Sequence, residues 1–257
     1  MSEGKVESFI KDGIGTVQFM HPQSNSLPGA LLMSLAAEVE KVGKNNDAKV
    51  IVLKSEGEKT FCAGASFDEL IAINDLATGK KFFSGFAAVI NAMRKAPKFV
   101  IARVQGKAVG GGVGLAAAAD YTLATTAAQA KLSELNVGIG PFVVGPAVER
   151  KIGTSAFSSM SINASEWMSA EWAREKGLYV NIYPTIAELD KAVDDMAGKL
   201  AQSSPEAMAQ LKKVFWEGTE NWDTLLIERA EMSGKLILSD FSRNFIQKFK
   251  AGVRDKN

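Results

Sequence analysis

From Ala108 to Ala119 no side chain is larger than leucine, and Gly110, Gly111, Gly112 and Gly114 carry none at all. Residues this small let backbone approach backbone, or a ligand, far more closely than ordinary side chains permit. The run follows Phe99-Val100-Ile101-Ala102-Arg103-Val104, whose continuous apolar character predicts a buried strand, and leads into Leu115-Ala116-Ala117-Ala118-Ala119, whose composition predicts a helix. A strand, a glycine turn and a helix in that order aim the positive end of the helix at whatever lies against the turn. The alternative is that the glycines serve only tight helix–strand packing. Gly112-Val113-Gly114-Leu115-Ala116-Ala117 also fits a dinucleotide fingerprint, with Glu134 twenty residues after Gly114. That reading fails on context, because the next predicted strand, Tyr121–Thr125, arrives too soon for a full crossover helix and ends without an acid for a ribose. No phosphate-cradling lysine motif is present either.

The rest of the chain bounds the answer. With 257 residues and 46% apolar content it can bury a sizeable core. Lysine plus arginine number 30 against 29 aspartate plus glutamate, so no net field draws in nucleic acid or a membrane surface. The basic tail of Lys248, Lys250, Arg254 and Lys256 is short, with only Phe249 interleaved, and does not read as an RNA surface. Cys62 is the only cysteine, which excludes an internal disulfide and a multi-thiolate metal site. No signal or transit pattern opens the chain, and the longest apolar stretch is well short of the roughly 20 residues a membrane span needs, so a cytoplasmic location is expected.

Val6 to Phe9 and Gly15 to Met20 are predicted strands around a turn at Lys11-Asp12-Gly13. Leu31, Leu32, Leu35, Val39 and Val42 recur at helical spacing with Gly43 as a stop, and Val50 to Leu53 is a buried strand. Helical spacing returns in Ile71 to Asn74 and Phe82 to Arg94, closed by Pro97. From Ser165 the chain is expected to be mainly helical, through Ser165-Glu166, Ala170–Ala173 and Leu189–Leu200. Strands thus dominate early and helices late. Ser203-Ser204-Pro205 is the hinge candidate, dividing a core of residues 1–200 from a helical arm of 201–257.

Three segments carry chemistry. Phe61-Cys62-Ala63-Gly64-Ala65-Ser66-Phe67 resembles the F-x-A-G-A-D loop of the crotonase superfamily, the enoyl-CoA hydratase/isomerase family. Gln105 to Gly114 resembles that family's N-G-x-A-x-G-G-G turn, and Leu132-Ser133-Glu134-Leu135-Asn136-Val137-Gly138 its P-E-I-x-x-G segment. Further likeness, from Met20-His21-Pro22 with Asn25 and Leu27 to Ala170-Glu171-Trp172-Ala173 and Gly177-Leu178, spans most of the chain.

The resemblance implies an α/β fold, a crotonase-like spiral of repeated strand–strand–helix units with a helical C-terminal oligomerisation arm. Apolar positions such as Leu211, Val214, Phe215, Leu225, Leu226, Leu236 and Ile237 exceed what one thin arm would bury alone, so a homotrimer or homohexamer is expected. The resemblance also implies an acyl-CoA substrate, with coenzyme A as part of that substrate, no separate cofactor and no metal. The amides of Ala65 and Gly111 would hold the thioester oxygen, Ala63, Gly64, Gly110 and Gly112 would complete the substrate-binding loops, and Glu134 would be the catalytic acid/base. Ser66 replaces the family's usual aspartate without touching those amides. Hydratases of the family use a second glutamate where this chain has Gly114. The expected reaction is therefore isomerisation of a 3-enoyl-CoA to a 2-enoyl-CoA, with hydration or decarboxylation of a branched or dicarboxylic enoyl-CoA as the alternative, and a non-catalytic acyl-CoA-binding protein as the alternative of another class. Asp68, Glu69 and Asp75 are reserve acids, and Arg94, Arg103 and Lys107 are candidate partners for a substrate carboxylate. His21, Cys62 and the four tryptophans are expected to serve packing. Pocket walls from residues 74–80 and 141–144 carry no readable code.

Overall fold

The computed structural model describes residues 4–254, so Lys256 of the basic tail lies outside the described residues. The chain opens on a hairpin of β1 (Lys5–Lys11) and β2 (Ile14–Met20), closed by Asp12 and Gly13 at φ 51° and 78°. Two consecutive positive φ values match the twist of the flanking strands, which explains an aspartate–glycine pair there. Helix α1 (Gly29–Lys44) leads to β3 (Val50–Ser55). Three strand–strand–helix units follow. The first is β3, β4 (Thr60–Cys62), the short α2 (Phe67–Ala72) and α3 (Leu76–Lys95). Next come β5 (Val100–Val104), β6 (Lys107–Val109) and α4 (Gly111–Ala118), then β7 (Tyr121–Thr125), β8 (Ala130–Lys131), a 3-10 turn at Glu134–Val137 and α5 (Gly145–Ile162). The chain continues through α6 (Ala170–Glu175), β9 (Asn181–Tyr183) and α7 (Ile186–Ala201) to α8 (Pro205–Phe215), α9 (Trp222–Leu236) and α10 (Asp240–Arg254).

The strands form two sheets. The larger has the order β1-β2-β3-β5-β7-β9 and is parallel beyond the opening hairpin. The smaller has the order β4-β6-β8 and is wholly parallel. Each repeat places its first strand in the large sheet and its second in the small one, which is the expected spiral. One face of the large sheet is covered by α7, whose Leu189, Val193 and Ala197 meet Val50, Val52, Ile101 and Leu123. The main core lies on the other side, where α1, α3 and α4 bury residues such as Leu35, Phe86, Ile90, Met93 and Leu115.

Several boundaries differ from the sequence expectation. Helix α1 runs through Gly43 and ends at Lys44, with Asn45 as its extended C-cap. The helix expected at Ile71–Asn74 starts earlier, at Phe67, because Ser66 caps it through the Glu69 amide, and it ends before Ile73. Asp75 caps α3 through the Thr78 amide at 2.7 Å, so that helix begins six residues before Phe82. Ser165 and Glu166 are not helical, whereas Ala170–Ala173 are. Strand β9 falls late, in the stretch from Ser165 that the sequence marks as mainly helical.

Helices α8 to α10 pack back on their own chain. Lys212 on α8 is buried and pairs with Asp120 at 2.8 Å, while its ammonium also donates to the carbonyls of Met93 and Lys98. Asp120 in turn accepts from the Val100 amide and the Trp216 indole. Helix α9 lies against α3 with glycine on both sides: a Cβ on Gly79 would come within 2.9 Å of the Gly234 Cα. Among the described residues no helix is long and apolar enough to cross a membrane.

Candidate active site

The small parallel sheet explains how residues far apart in sequence converge. Cys62 pairs with Ala108, and Val109 with Lys131, so β4, β6 and β8 end at one level. Beyond those ends lie Ala63-Gly64-Ala65, Gly110-Gly111 and Ser133-Glu134, the carboxyl-end position where open parallel sheets take their ligands. The Gly110 amide donates to the Lys131 carbonyl at 2.8 Å, tying the second loop to the third. The Leu27 amide donates to the Gly64 carbonyl at 2.8 Å and fixes the first. Gly64 has φ 85°, and a Cβ there would sit 2.8 Å from the Val109 carbonyl and 3.5 Å from the Gly111 nitrogen, so only glycine lets these loops close together.

A chamber of about 90 Å³ opens at this junction. Ala63, Gly64, Ala65, Gly110, Gly111 and Glu134 all line it. Gly112, grouped with them from sequence, does not. A Cβ there would lie 2.5 Å from the Cys62 carbonyl, so that glycine serves the packing of α4 on β4. Neither the Ala65 nor the Gly111 amide has an acceptor among the described residues. The Gly111 amide is the first of α4, where helical geometry supplies no partner.

Among the described residues, Glu134 is the only ionisable side chain in the chamber wall. The residue as a whole is half-buried, yet its Oε2 is closed off from solvent and lacks a hydrogen-bond partner among the described residues. Its Oε1 rests against Gly110, where a Cβ would stand 2.9 Å away. Burial pushes the carboxyl from its ordinary 4.5 up to about 7, with no cation among the described wall residues to oppose the shift.

The other candidates fall elsewhere. Glu69 accepts from the Gly29 amide at 2.7 Å at the start of α1, and Asp75 caps α3. Asp68 accepts from the Gln23 side chain and lines an outer groove. Arg103 is buried in a two-pronged pair with Asp190, and Arg94 holds Asp223, so neither arginine faces the chamber. The Lys107 ammonium sits 4.8 Å from the Trp167 ring centre. His21 is engaged with Ser26 and the Gln23 amide. Cys62 is buried, its thiol pushed up to about 12 by burial. Of the expected wall loops, Pro141–Val144 lines the chamber and residues 74–80 do not.

Sequence reasoning missed the role of Val144. A Cβ on Gly114 would lie 2.4 Å from the Val144 Cγ1, so valine fills the space next to Gly114, where the resemblance to hydratases would place a second glutamate. It also missed Phe83 and Phe86 as wall residues, because helical spacing from Phe82 to Arg94 marks a helix and carries no sign of a pocket. The outer groove, of about 630 Å³, joins the chamber at Ala63, Ala65, Phe67, Val109, Ser133 and Val137. Lys131 and Trp167 stand on one side of it and Phe245 and Phe249 on another. Trp167, expected to serve packing, lies outside any helix and is exposed. Among the described residues no group of His, Cys, Asp and Glu is arranged to hold a metal ion.

This spiral, with unpaired amides and a buried acid at the ends of its inner sheet, defines a protein of crotonase type. A family model for enoyl-CoA hydratase/isomerase matches residues 9–250. The 2,3-dehydroadipyl-CoA hydratase of Escherichia coli is 30% identical over 76% of this chain and 75% of its own length. The short-chain-enoyl-CoA hydratase of Clostridium acetobutylicum is 26% identical over 93% and 94%. The crystal structure of an enoyl-CoA hydratase from Bacillus halodurans superposes with a TM-score of 0.87 over 95% of this chain and 99% of that one, at 20% identity. The chain belongs to the enoyl-CoA hydratase/isomerase family and is an enzyme acting on acyl-CoA thioesters.

Proposed function

We propose that the enzyme moves the double bond of a 3-enoyl-CoA to the 2-position, with Glu134 carrying the proton. The observation behind this reading is that, among the described residues, one carboxyl and no second acid lines the chamber, with Val144 beside Gly114. The carboxylate removes a proton from C2, and the charge spreads through the dienolate to the thioester oxygen. The Ala65 and Gly111 amides stabilise that oxygen; one such preorganised donor is worth about 2.7–4 kcal/mol to a transition state. Glu134, now protonated, returns the proton at C4 as the double bond moves to C2–C3. A carboxyl that titrates at about 7 suits both halves of this shuttle. Hydration needs in addition a group to hold water and supply the other proton, and Asp68 and Glu69 are engaged outside the chamber.

Coenzyme A, as part of the substrate, would follow the outer groove past Lys131 and Trp167, with no separate cofactor. The same reading includes a cytoplasmic location, a core of residues 1–200 with an arm of 201–257, and a homotrimer or homohexamer. The test is direct: incubate the enzyme with a 3-enoyl-CoA and, separately, a 2-enoyl-CoA in deuterium oxide and follow products by mass. Isomer formation with deuterium uptake is expected. Rapid gain of one water by the 2-enoyl-CoA, without isomerisation of the 3-enoyl-CoA, would overturn the proposal.

A further inference from the structure

We propose that the inner chamber selects short, uncharged acyl chains, and that Phe142 sets the limit on length. The inference rests on the assignment of this chamber to the acyl group. Its wall beyond the glycine loops is made of Leu70, Phe83, Phe86, Ile139, Phe142 and Val144. Its polar side chains are Ser133, Ser233 and Glu134, and no lysine, arginine or histidine reaches it among the described residues. Ser233 already donates to the Arg229 carbonyl. The arginines that might receive a terminal carboxylate are committed elsewhere, Arg94 to Asp223 and Arg103 to Asp190. A dicarboxylic acyl chain would therefore bury an unpaired anion, with the carboxyl of Glu134 as a neighbour of the same sign once ionised. This sets the chain apart from the relative named for 2,3-dehydroadipyl-CoA, although the two share 30% of aligned residues.

Length is limited by volume. About 90 Å³ is small beside the roughly 300–1,000 Å³ of sites that enclose a whole drug-sized ligand. Phe83 and Phe86 are buried in α3, and Phe86 fits against Gly111 so closely that a Cβ there would meet its ring at 2.0 Å. Those two rings belong to the core. Phe142 is different: it is half-buried, and its ring folds over Gly140, where a Cβ would stand 2.6 Å from it. A tight turn holds it, with the Phe142 amide donating to the Gly140 carbonyl at 2.7 Å. Truncating Phe142 enlarges the chamber without removing a core residue.

The test measures binding of saturated thioesters to the full chain by calorimetry, so that it is independent of the reaction catalysed. Butyryl-CoA should bind about tenfold more tightly than decanoyl-CoA and about a hundredfold more tightly than succinyl-CoA. Phe142→Ala should close most of the gap between butyryl- and decanoyl-CoA and leave the gap to succinyl-CoA in place; if that variant does not fold, Phe142→Leu is expected to shift the ratio the same way. Equal affinity for butyryl- and succinyl-CoA, or for butyryl- and decanoyl-CoA, would overturn the proposal, as would an unchanged length preference in a folded Phe142 variant. The predicted selectivity without turnover of any 3-enoyl-CoA would leave it standing and remove the isomerase reading instead.

Discussion

Glu134 owes its behaviour to two separate facts: the short strand β8 delivers it to the junction of three loops, and apolar residues from distant segments seal it there. Replacement by glutamine keeps size and hydrogen-bonding capacity but removes the base. Turnover should fall by roughly 10²–10⁴-fold, the usual contribution of a positioned acid or base, while acyl-CoA affinity persists. Loss of binding in parallel with turnover would point to a structural role. The carboxylate must be ionised to accept the C2 proton, so kcat/KM should rise as pH increases through about 7. Stability runs the other way. The unfolded carboxyl ionises near 4.5 and the folded one near 7, so its contribution is fully present below 4.5 and is lost as pH rises through about 7. The loss is of order 3 kcal/mol. In urea unfolding, Glu134→Gln should gain about that much relative to wild type between pH 4.5 and a pH well above 7; a constant difference across that window would refute a buried, titrating Glu134. The motif around Glu134 is legible in the sequence. The burial that tunes it is not, because Phe86 and Val144 reach it only through the tertiary fold.

At the scale of elements, the large sheet is legible except for the three-residue β9, and the small sheet is not. Runs such as Val50–Leu53 and Val100–Val104 are long and apolar enough to declare themselves, whereas β4, β6 and β8 have three, three and two residues and show no periodicity. The strands that assemble the site are thus the ones periodicity cannot find, and the loops they carry are identified only by their glycines. Helix α5 is hidden differently: Val148, Ile152, Ala156 and Met160 keep helical spacing, but the segment opens on Gly145-Pro146 and carries Gly153, at φ 76°, in its interior, residues that ordinarily signal a turn. The contact between α4 and the segment before α5 gives a prediction about packing at Gly114. Gly114→Glu alone should destabilise the protein, because even its Cβ meets Val144, with overpacking typically costing about 1–3 kcal/mol. Adding Val144→Ala should recover much of that loss, a coupling that thermal unfolding of the two single variants and the double variant would measure. Additive effects would show that Val144 is not what occupies the space. The α3–α9 crossing gives a second. Gly234→Ala places a Cβ within 2.6 Å of the Lys80 nitrogen, against backbone that has no rotamer to shift, and should cost about 1–3 kcal/mol in urea unfolding. A neutral Gly234→Ala would mean that the two helices do not touch as closely as described.

For the whole molecule the question is what the C-terminal helices are for. Apolar positions there were expected to exceed what one arm buries, and the structure divides them. Leu226 and Ile237 are buried within the chain and Leu225 packs partly against its core, but Leu211, Val214, Phe215, Leu236 and Phe241 remain exposed. Lys212 and the glycine contact between α3 and α9 dock these helices firmly, so the exposed side chains sit on ordered helices rather than on a loose tail. Apolar side chains gathered on docked helices are what a partner subunit covers, and closed symmetric assembly is the common solution. Multi-angle light scattering at micromolar concentration should therefore report a trimer or a hexamer. Val214 is 56% exposed and Phe241 64% exposed, so Val214→Asp and Phe241→Asp should leave the fold intact by circular dichroism while shifting the assembly toward smaller species. A wild-type monomer, or charged variants that assemble like wild type, would assign these helices to completing the wall of the outer groove within a single chain, where Phe245 and Phe249 already stand.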